Sequence, residues 1–217
     1  MIKLLNKEIR LAASPLSFIF IAASAMAFIP GYPILMGSFF VCLGIFYSFQ
    51  NAREMNDVLY SVLLPIKKTD FVKAKFAFSV LIELSSLVII SAITALRMTA
   101  LSASEVYRSN ALMNATPLYL AFALLVFASF NTFFIGGFFK TAWKIGIPFL
   151  KYCIVSLAVI FIGESLHHIP GLAFLNAPEG ERLPLQFAAL AAGCAIYAVS
   201  LVVSCRVSMK RFESTDL

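Results

Sequence analysis

Six apolar blocks divide this sequence, and each approaches the length that a helix needs to cross a lipid bilayer. Charged residues make up 13% of the chain, about half the share found in a soluble domain. Because backbone polar groups inside a bilayer must bond within their own segment, such blocks form helices. We therefore expect an all-α membrane protein, a single domain over 1–217, with six transmembrane helices at about residues 15–28, 34–49, 76–96, 118–139, 145–162 and 185–207.

Basic residues are distributed unevenly between the two ends of these helices. One end is predicted to carry only Arg97, Arg108 and Arg182, and Lys151 falls inside a span. The other end takes Lys3, Lys7, Arg10, Arg53, Lys67, Lys68, Lys73, Lys75, Lys140, Lys144, Arg206, Lys210 and Arg211. Since basic residues stay on the cytoplasmic side of short loops, we predict that both termini are cytosolic, in the cytoplasmic membrane of a bacterium. The net charge of +6 then indicates topology and contact with membrane lipids, and no nucleic-acid partner is expected.

Residues 1–13 have the pattern of an amphipathic helix lying on the membrane surface. Its apolar face carries Ile2, Leu5, Ile9 and Ala12. Its basic face carries Lys3, Lys7 and Arg10. Ser14 and Pro15 are typical of an N-cap and a first helical position. Although Ala25-Met26-Ala27 resembles a signal-peptide cleavage site, we expect this segment to be retained, because the region before it is itself patterned as a helix.

The segment 50–75 is too polar to enter lipid, and it separates the second span from the third. Its apolar residues have helical spacing: Met55, Val58, Leu59, Val62 and Leu63. Pro65 should end this helix, and Thr69 or Asp70 is a candidate N-cap for the next one. We predict an amphipathic helix that is held by its apolar face and turns its polar face toward a cytosolic partner; that face carries Asn51, Arg53, Glu54, Asp57 and Ser61.

Three polar residues fall at similar depth in different spans. Glu83, Asn131 and Lys151 each lie roughly 9–12 Å from the cytosolic end of a span, at ~1.5 Å per residue. We expect them to form an intramembrane polar cluster, in which Glu83 bonds to Asn131 or Lys151. The cluster is either a clasp between helices or the lining of a polar path or gate. Alternatively, Lys151 extends from a lipid-facing position to the membrane surface.

The loop 163–184, predicted on the extracytoplasmic side, begins with an E-x-x-H-H sequence formed by Glu164, His167 and His168. A metal site needs three or four converging ligands, and the chain offers few others and no H-E-x-x-H motif. We expect a polar cap at the membrane interface, and we assign neither a metal ligand nor a catalytic residue.

Four short motifs resemble those of short bacterial permease subunits of ABC-2 type (type-2) ABC exporters. They are Pro30-Gly31-Tyr32-Pro33, Arg53-Glu54-Met55-Asn56-Asp57, Leu64-Pro65-Ile66-Lys67-Lys68 and Val72-Lys73-Ala74-Lys75. An N-terminal interfacial helix, six spans and a helix between spans two and three are similar to that family's topology over essentially the whole chain.

This resemblance implies a permease that exports an unidentified substrate while a separate ATPase subunit hydrolyses ATP. ATP and Mg are then bound by the partner ATPase, this chain holds no cofactor, and it is not itself an enzyme. A second permease copy, identical or a related paralogue, is implied as well. On this likeness 50–75 is a cytosolic coupling loop, in which Arg53, Glu54, Asn56 and Asp57 face the ATPase, and the loop 163–184 contains short helices.

Two other functions remain open. A secondary transporter or channel without an ATPase should show inverted repeats and broken helices near the midplane, and the sequence shows neither clearly. An intramembrane metal-dependent enzyme would use Glu164, His167 and His168, and metal analysis of the purified protein separates that function from transport.

Overall fold

The computed structural model describes residues 2–108, 110–141, 144–177, 180 and 182–214, and all regular structure in these ranges is helical. The helices in chain order are α1 Ile2–Ala12, α2 Pro15–Phe28, α3 Leu35–Glu54, α4 Asp57–Leu63, α5 Lys68–Met98, α6 Glu105–Arg108, α7 Pro117–Lys140, α8 Gly146–His168 and α9 Leu183–Glu213. A short 3-10 turn, Ala173–Asn176, lies between α8 and α9.

Five of these helices, α3, α5, α7, α8 and α9, are long and apolar enough to cross a membrane. The pair α1 and α2 is bent by 102° and supplies a sixth crossing if it is counted as one broken span. Ser14 caps α2 by accepting a hydrogen bond from Leu16 N at 3.3 Å. The described residues therefore contain five to six crossings, in agreement with a multi-pass membrane protein.

The first span is short in residues but not in length. The nine residues Phe20–Phe28 form a 3-10 helix after the five α-helical residues Pro15–Ile19. A 3-10 helix rises ~2.0 Å per residue, compared with ~1.5 Å in an α-helix, so α2 reaches about 25 Å. This length approaches the ~30 Å of a hydrocarbon core.

α7 lies at the centre of the bundle and packs against α3, α5, α8 and α9. In its apolar window 78% of the residues are buried, compared with 17% in α9, which leaves most of α9 exposed. Aromatic rings fill the space between α3, α7 and α8, and the rings of Phe46 and Phe149 have centroids 4.0 Å apart. Van der Waals packing of this kind associates helices within lipid.

Small residues bring α2 close to α3. A Cβ atom on Gly44 would lie 2.8 Å from Phe20 Cβ, and one on Gly37 would lie 2.7 Å from Ala23 O. The Ser17 hydroxyl donates to Gly44 O at 2.6 Å. Close backbone approach at small residues, supported by hydroxyl hydrogen bonds, is typical of helix contacts in membranes.

The chain between the second and third spans folds as two helices rather than one. α3 continues to Glu54, and Asn56 then adopts φ of 52°, a left-handed conformation that Asn tolerates, before α4 begins. α4 ends at Leu63, shortly before Pro65, as the missing backbone donor of proline predicts.

One smaller expectation is corrected, and one agrees with the structure. The predicted cap at Thr69 or Asp70 is wrong, because α5 begins at Lys68, directly after an extended Lys67. The described part of the loop 163–184 contains short helices as expected, in the form of the 3-10 turns Leu166–His168 and Ala173–Asn176. Gly171, with φ of 87°, separates these two turns.

Candidate functional site

A buried ionic cluster joins α1, α4 and α5 at one end of the bundle. Its members are Lys7, Glu8, Asp57, Ser61 and Lys75. Lys75 Nζ lies 2.5 Å from Glu8 Oε2 and 2.9 Å from Asp57 Oδ2. Lys7 pairs with the Asp57 carboxylate and donates to Ser61 Oγ at 2.6 Å. Two cations thus face two anions, which keeps the cluster neutral although it is almost completely withdrawn from water.

Aromatic rings surround the ionic cluster. The Phe71 centroid lies 5.3 Å from Lys7 Nζ and 5.4 Å from Lys75 Nζ, and the Phe49 centroid lies 5.7 Å from Lys75 Nζ. Ammonium groups over ring faces at less than ~6 Å gain cation–π attraction. The rings also exclude water, so the charges interact in a medium of lower dielectric constant than the solvent.

Asp57 remains ionised at neutral pH. Burial alone would raise the pKa of this carboxyl, but the charge of Lys75 and the hydrogen bonds from Lys7 and Lys75 outweigh it, and the pKa lies below its ordinary value. At neutral pH the carboxylate is therefore an anion between the two lysines.

Helical spacing assembles the ionic cluster from short stretches of sequence. Asp57 and Ser61 lie four residues apart on α4, and their oxygens are 3.4 Å apart. Phe71 and Lys75 repeat the same spacing on α5 and so share a helix face. Glu8 opens a π-helical turn, Glu8–Ala12, at the end of α1, and such turns are frequent at functional sites.

The two faces of α4 agree only in part with the prediction from sequence. Val58 is buried as predicted, but Asp57 and Ser61 are buried as well, whereas Leu59 and Leu63 are 50% and 85% exposed. Among the described side chains, the apolar face therefore holds this helix only through Val58, and polar residues supply other inward contacts. Lys7 and Lys75, which come from distant parts of the chain, draw the polar face inward, and a periodic pattern cannot show such counter-charges.

Of the four residues assigned to the coupling helix, Arg53, Glu54 and Asn56 are exposed, and Asp57 is directed into the ionic cluster instead. A shallow hollow beside them is lined by Gln50, Arg53, Glu54 and Ile145. The exposed residues of this region together form what we term the α4 surface: Arg53, Glu54, Met55, Asn56, Leu59, Tyr60 and Leu63.

A second polar cluster lies inside the bundle, where α5, α7 and α9 meet. Asn131 Nδ2 donates to both carboxylate oxygens of Glu83, at 3.1 Å and 3.0 Å, and the Tyr197 hydroxyl donates to Glu83 Oε2 at 2.6 Å. Asn131 belongs to a π-helical stretch of α7, Phe130–Ile135. Its Oδ1 atom is buried and has no hydrogen-bond partner in the described structure.

The structure brings Glu83 and Asn131 together but leaves Lys151 out. Lys151 is exposed on α8, where a long side chain can extend along the helix toward the membrane surface. Tyr197 is the third member of the cluster instead, and it was not predicted from the sequence. The signal was available, because a tyrosine hydroxyl within an apolar span needs a hydrogen-bond partner.

At the opposite end of the bundle, Glu164 and His167 bind backbone groups. Glu164 Oε2 accepts a hydrogen bond from Met113 N at 2.9 Å, and His167 Nε2 lies 3.1 Å from Ala111 O. The ring of His168 lies against that of His167, with centroids 4.1 Å apart. Within the described ranges, no group of three or more His, Cys, Asp or Glu residues could hold a metal ion.

The chain matches a family model described as ABC-2 family transporter protein over residues 3–212. No curated protein and no solved structure matches it significantly. The matched range contains α2 to α8 completely and includes every residue of the two polar clusters.

Proposed function

The chain belongs to the ABC-2 family transporter proteins, and from this premise we propose that it is the permease subunit of an ATP-driven ABC exporter. A separate ATPase subunit would hydrolyse ATP, and this chain would couple that reaction to export of its substrate. The observation that carries the proposal is the α4 surface, which exposes apolar side chains on a short helix that buried ion pairs fix to the bundle.

The α4 surface has the spacing of a helix that seats in a groove of another protein. Leu59 and Leu63 lie four residues apart on α4 and are 50% and 85% exposed, and Met55, which precedes the helix, is 62% exposed. Amphipathic helices bind grooves through apolar anchors at such intervals. Arg53 and Glu54 stand beside these anchors as the polar rim, which favours a protein groove rather than lipid as the occupant.

The ionic cluster connects a moving ATPase to the membrane helices. A displacement of α4 pulls α1 along through the Lys7 ion pair and α5 through the Lys75 ion pair. Because separating one buried charge from its partner costs about 3–5 kcal/mol, α4 moves together with these helices rather than alone. In this proposal ATP and Mg bind to the ATPase, and the permease carries out no covalent step.

The proposed orientation in the membrane rests on the distribution of basic residues, and the proposed second copy rests on the family. The α4 end of the bundle carries most of the basic residues, together with α1 and the end of α9, which supports a cytosolic location for that end in a bacterial cytoplasmic membrane. We propose that a second permease copy, identical or related, completes the transporter and that substrate passes between the copies.

Purification of the tagged chain from its native membrane in mild detergent tests the assignment. We expect a protein with a phosphate-binding G-x-x-x-x-G-K-[ST] loop to co-purify with the wild type. The variant Leu59→Asp with Leu63→Asp should lose that protein, whereas Leu59→Met with Leu63→Met should retain it. Because both side chains are exposed, both variants should keep the wild-type melting temperature.

Two results would refute the proposal. One is full retention of the ATPase by the aspartate variant, and the other is the absence of any ATPase from the wild-type preparation. Transport that continues in the second case and follows an ion gradient would instead identify a secondary transporter.

A further inference from the structure

A surface cavity of about 400 Å³ lies at the end of the bundle opposite α4. Its walls come from the end of α5 and the segment that joins it to α6, from α6 and the loop before α7, and from the end of α8 and the turn that follows it. Neither the ionic cluster nor the α4 surface contributes to it. Small-molecule sites have volumes of roughly 300–1,000 Å³, so this cavity is large enough for a small ligand.

Hydrogen bonds between side chains and backbone hold the walls of the cavity in place. Asn114 N donates to Asn176 Oδ1 at 2.6 Å, and Asn176 Nδ2 donates to Leu112 O at 3.2 Å. The Tyr107 hydroxyl donates to Phe28 O at 3.0 Å. The cavity is therefore formed before any ligand enters, which lowers the ordering cost of binding.

A buried cation without a described counter-ion lines this cavity. Arg97 is 4% exposed and donates to Ala27 O at 2.7 Å and to Asn114 Oδ1 at 3.0 Å. Its guanidinium lies over the ring of Tyr107, 4.2 Å from the centroid. In the described ranges, Arg97 forms no ion pair with a carboxylate. A buried charge without a partner of opposite sign is costly, so an anion would be favoured here.

Asn110, which also lines the cavity, adds a hydrogen-bond donor. Its Oδ1 accepts from Gly31 N and Leu112 N, both at 3.2 Å. Its Nδ2 is buried and has no hydrogen-bond partner among the described residues. Leu101 and Ala115 supply apolar wall. The cavity thus combines a cation with apolar surface, and beside it lies a buried amide donor that has no partner among the described residues.

We propose that this cavity binds the anionic group of a small amphiphile, a carboxylate or a phosphate attached to an apolar body. The planar guanidinium of Arg97 suits the two oxygens of such a group. The ligand is either a water-soluble molecule or a membrane lipid whose headgroup enters from the bilayer. The site does not depend on whether an ATPase drives the protein.

Binding is measured on the full-length chain, purified together with any accompanying subunit. Calorimetric titration uses octanoate, the neutral octanol of similar shape, and inorganic phosphate. In a parallel arm, melting temperatures are compared in nanodiscs of phosphatidylglycerol and of phosphatidylcholine. Octanoate should bind and octanol should not. Phosphate binding would identify a phosphate group, and a higher melting temperature in phosphatidylglycerol, whose headgroup has a net negative charge, would identify an anionic lipid headgroup.

Asn110→Asp is the sharpest variant for this test. The aspartate keeps the oxygen that accepts from Gly31 and Leu112, and it replaces the unused amide with an anion in the cavity of Arg97. We expect the affinity for octanoate to fall by more than about tenfold through charge repulsion and competition for Arg97. The melting temperature should stay equal or rise. Ala100→Asp adds the same charge at an exposed position that does not line the cavity and should leave binding unchanged.

Each alternative outcome overturns the proposal. Equal binding of octanoate and octanol would show that apolar surface alone attracts the probe. Equal octanoate affinity in the wild type and Asn110→Asp would place the anion elsewhere. If no probe and no lipid binds to the wild type, the cavity is not an anion site.

Discussion

Removal of Lys75 is the sharpest test of the ionic cluster that anchors α4. Lys75 Nζ lies 2.5 Å from Glu8 and 2.9 Å from Asp57, and its side chain is 3% exposed. At an effective dielectric constant of ~20, the first contact alone corresponds to a gross attraction of about 7 kcal/mol. Burial of the ions offsets most of this gain, but Lys75→Met leaves two buried carboxylates facing only Lys7. We expect a loss of about 3–5 kcal/mol in the free energy of unfolding.

A second substitution should reverse that loss. Glu8→Gln added to Lys75→Met removes the unpaired carboxylate and restores a neutral cluster, in which Lys7 still pairs with Asp57. The double variant should therefore be more stable than Lys75→Met alone, although most second mutations destabilise. Stability is followed as the melting temperature of the purified protein at a fixed scan rate. The single variant should melt about 10 °C below the wild type.

Lys73→Met provides the matched control. Lys73 lies on the same helix and pairs with Asp70 at 3.4 Å, but both side chains are more than a third exposed. Solvent screens such pairs, so its loss should change the free energy of unfolding by less than about 0.5 kcal/mol. A double variant that is less stable than Lys75→Met, or equal effects of Lys75→Met and Lys73→Met, would refute the account of a buried, charge-balanced cluster.

Three further predictions concern individual groups. The pKa of Asp57 is lowered in the folded protein, so the ionised carboxylate contributes to stability at neutral pH and this contribution is lost as pH falls below about 4. The difference in melting temperature between the wild type and Asp57→Asn should therefore disappear in acid. Glu83→Leu removes the acceptor of Asn131 and Tyr197 and should lower the free energy of unfolding by about 2–4 kcal/mol. Glu83→Gln should lower it less, because the glutamine amide can donate to Asn131 Oδ1. Equal melting temperatures for the two variants would contradict this. Gly44→Ala places a Cβ atom 2.8 Å from Phe20 Cβ and should lower the free energy of unfolding by about 1–3 kcal/mol. In the control Gly146→Ala the new Cβ has no atom within 4 Å, so this variant should be as stable as the wild type.

The sequence predicts features that depend on local composition. The apolar blocks predicted most ends of the long helices to within a few residues. They do so because every membrane span must be both long and apolar. Depth along a regular helix also placed Glu83 level with Asn131, since each residue adds a fixed rise. These features need no knowledge of which helices are neighbours.

Features that depend on distant partners could not be derived. The inward direction of Asp57 requires Lys7, fifty residues earlier in the chain, and a periodic pattern within α4 carries no information about that lysine. The choice of Tyr197 rather than Lys151 depends on the rotation of α8 and α9 about their axes. The π-helical stretch around Asn131 also changes the direction in which the side chains of α7 point. A periodic pattern in the sequence assumes regular helices throughout and does not show this change.

α5 contributes a residue to the ionic cluster, to the intramembrane cluster and to the cavity. It runs without a break from Lys68 to Met98, about 46 Å at ~1.5 Å per residue. Lys75 in the ionic cluster, Glu83 in the intramembrane cluster and Arg97 in the cavity all belong to it. Each of the three is nearly fully buried, so each fixes the rotation of α5 about its axis. A movement of α4 that turns or shifts α5 would therefore change the contacts of Glu83 and Arg97 together, and the two ends of the bundle would respond as one unit.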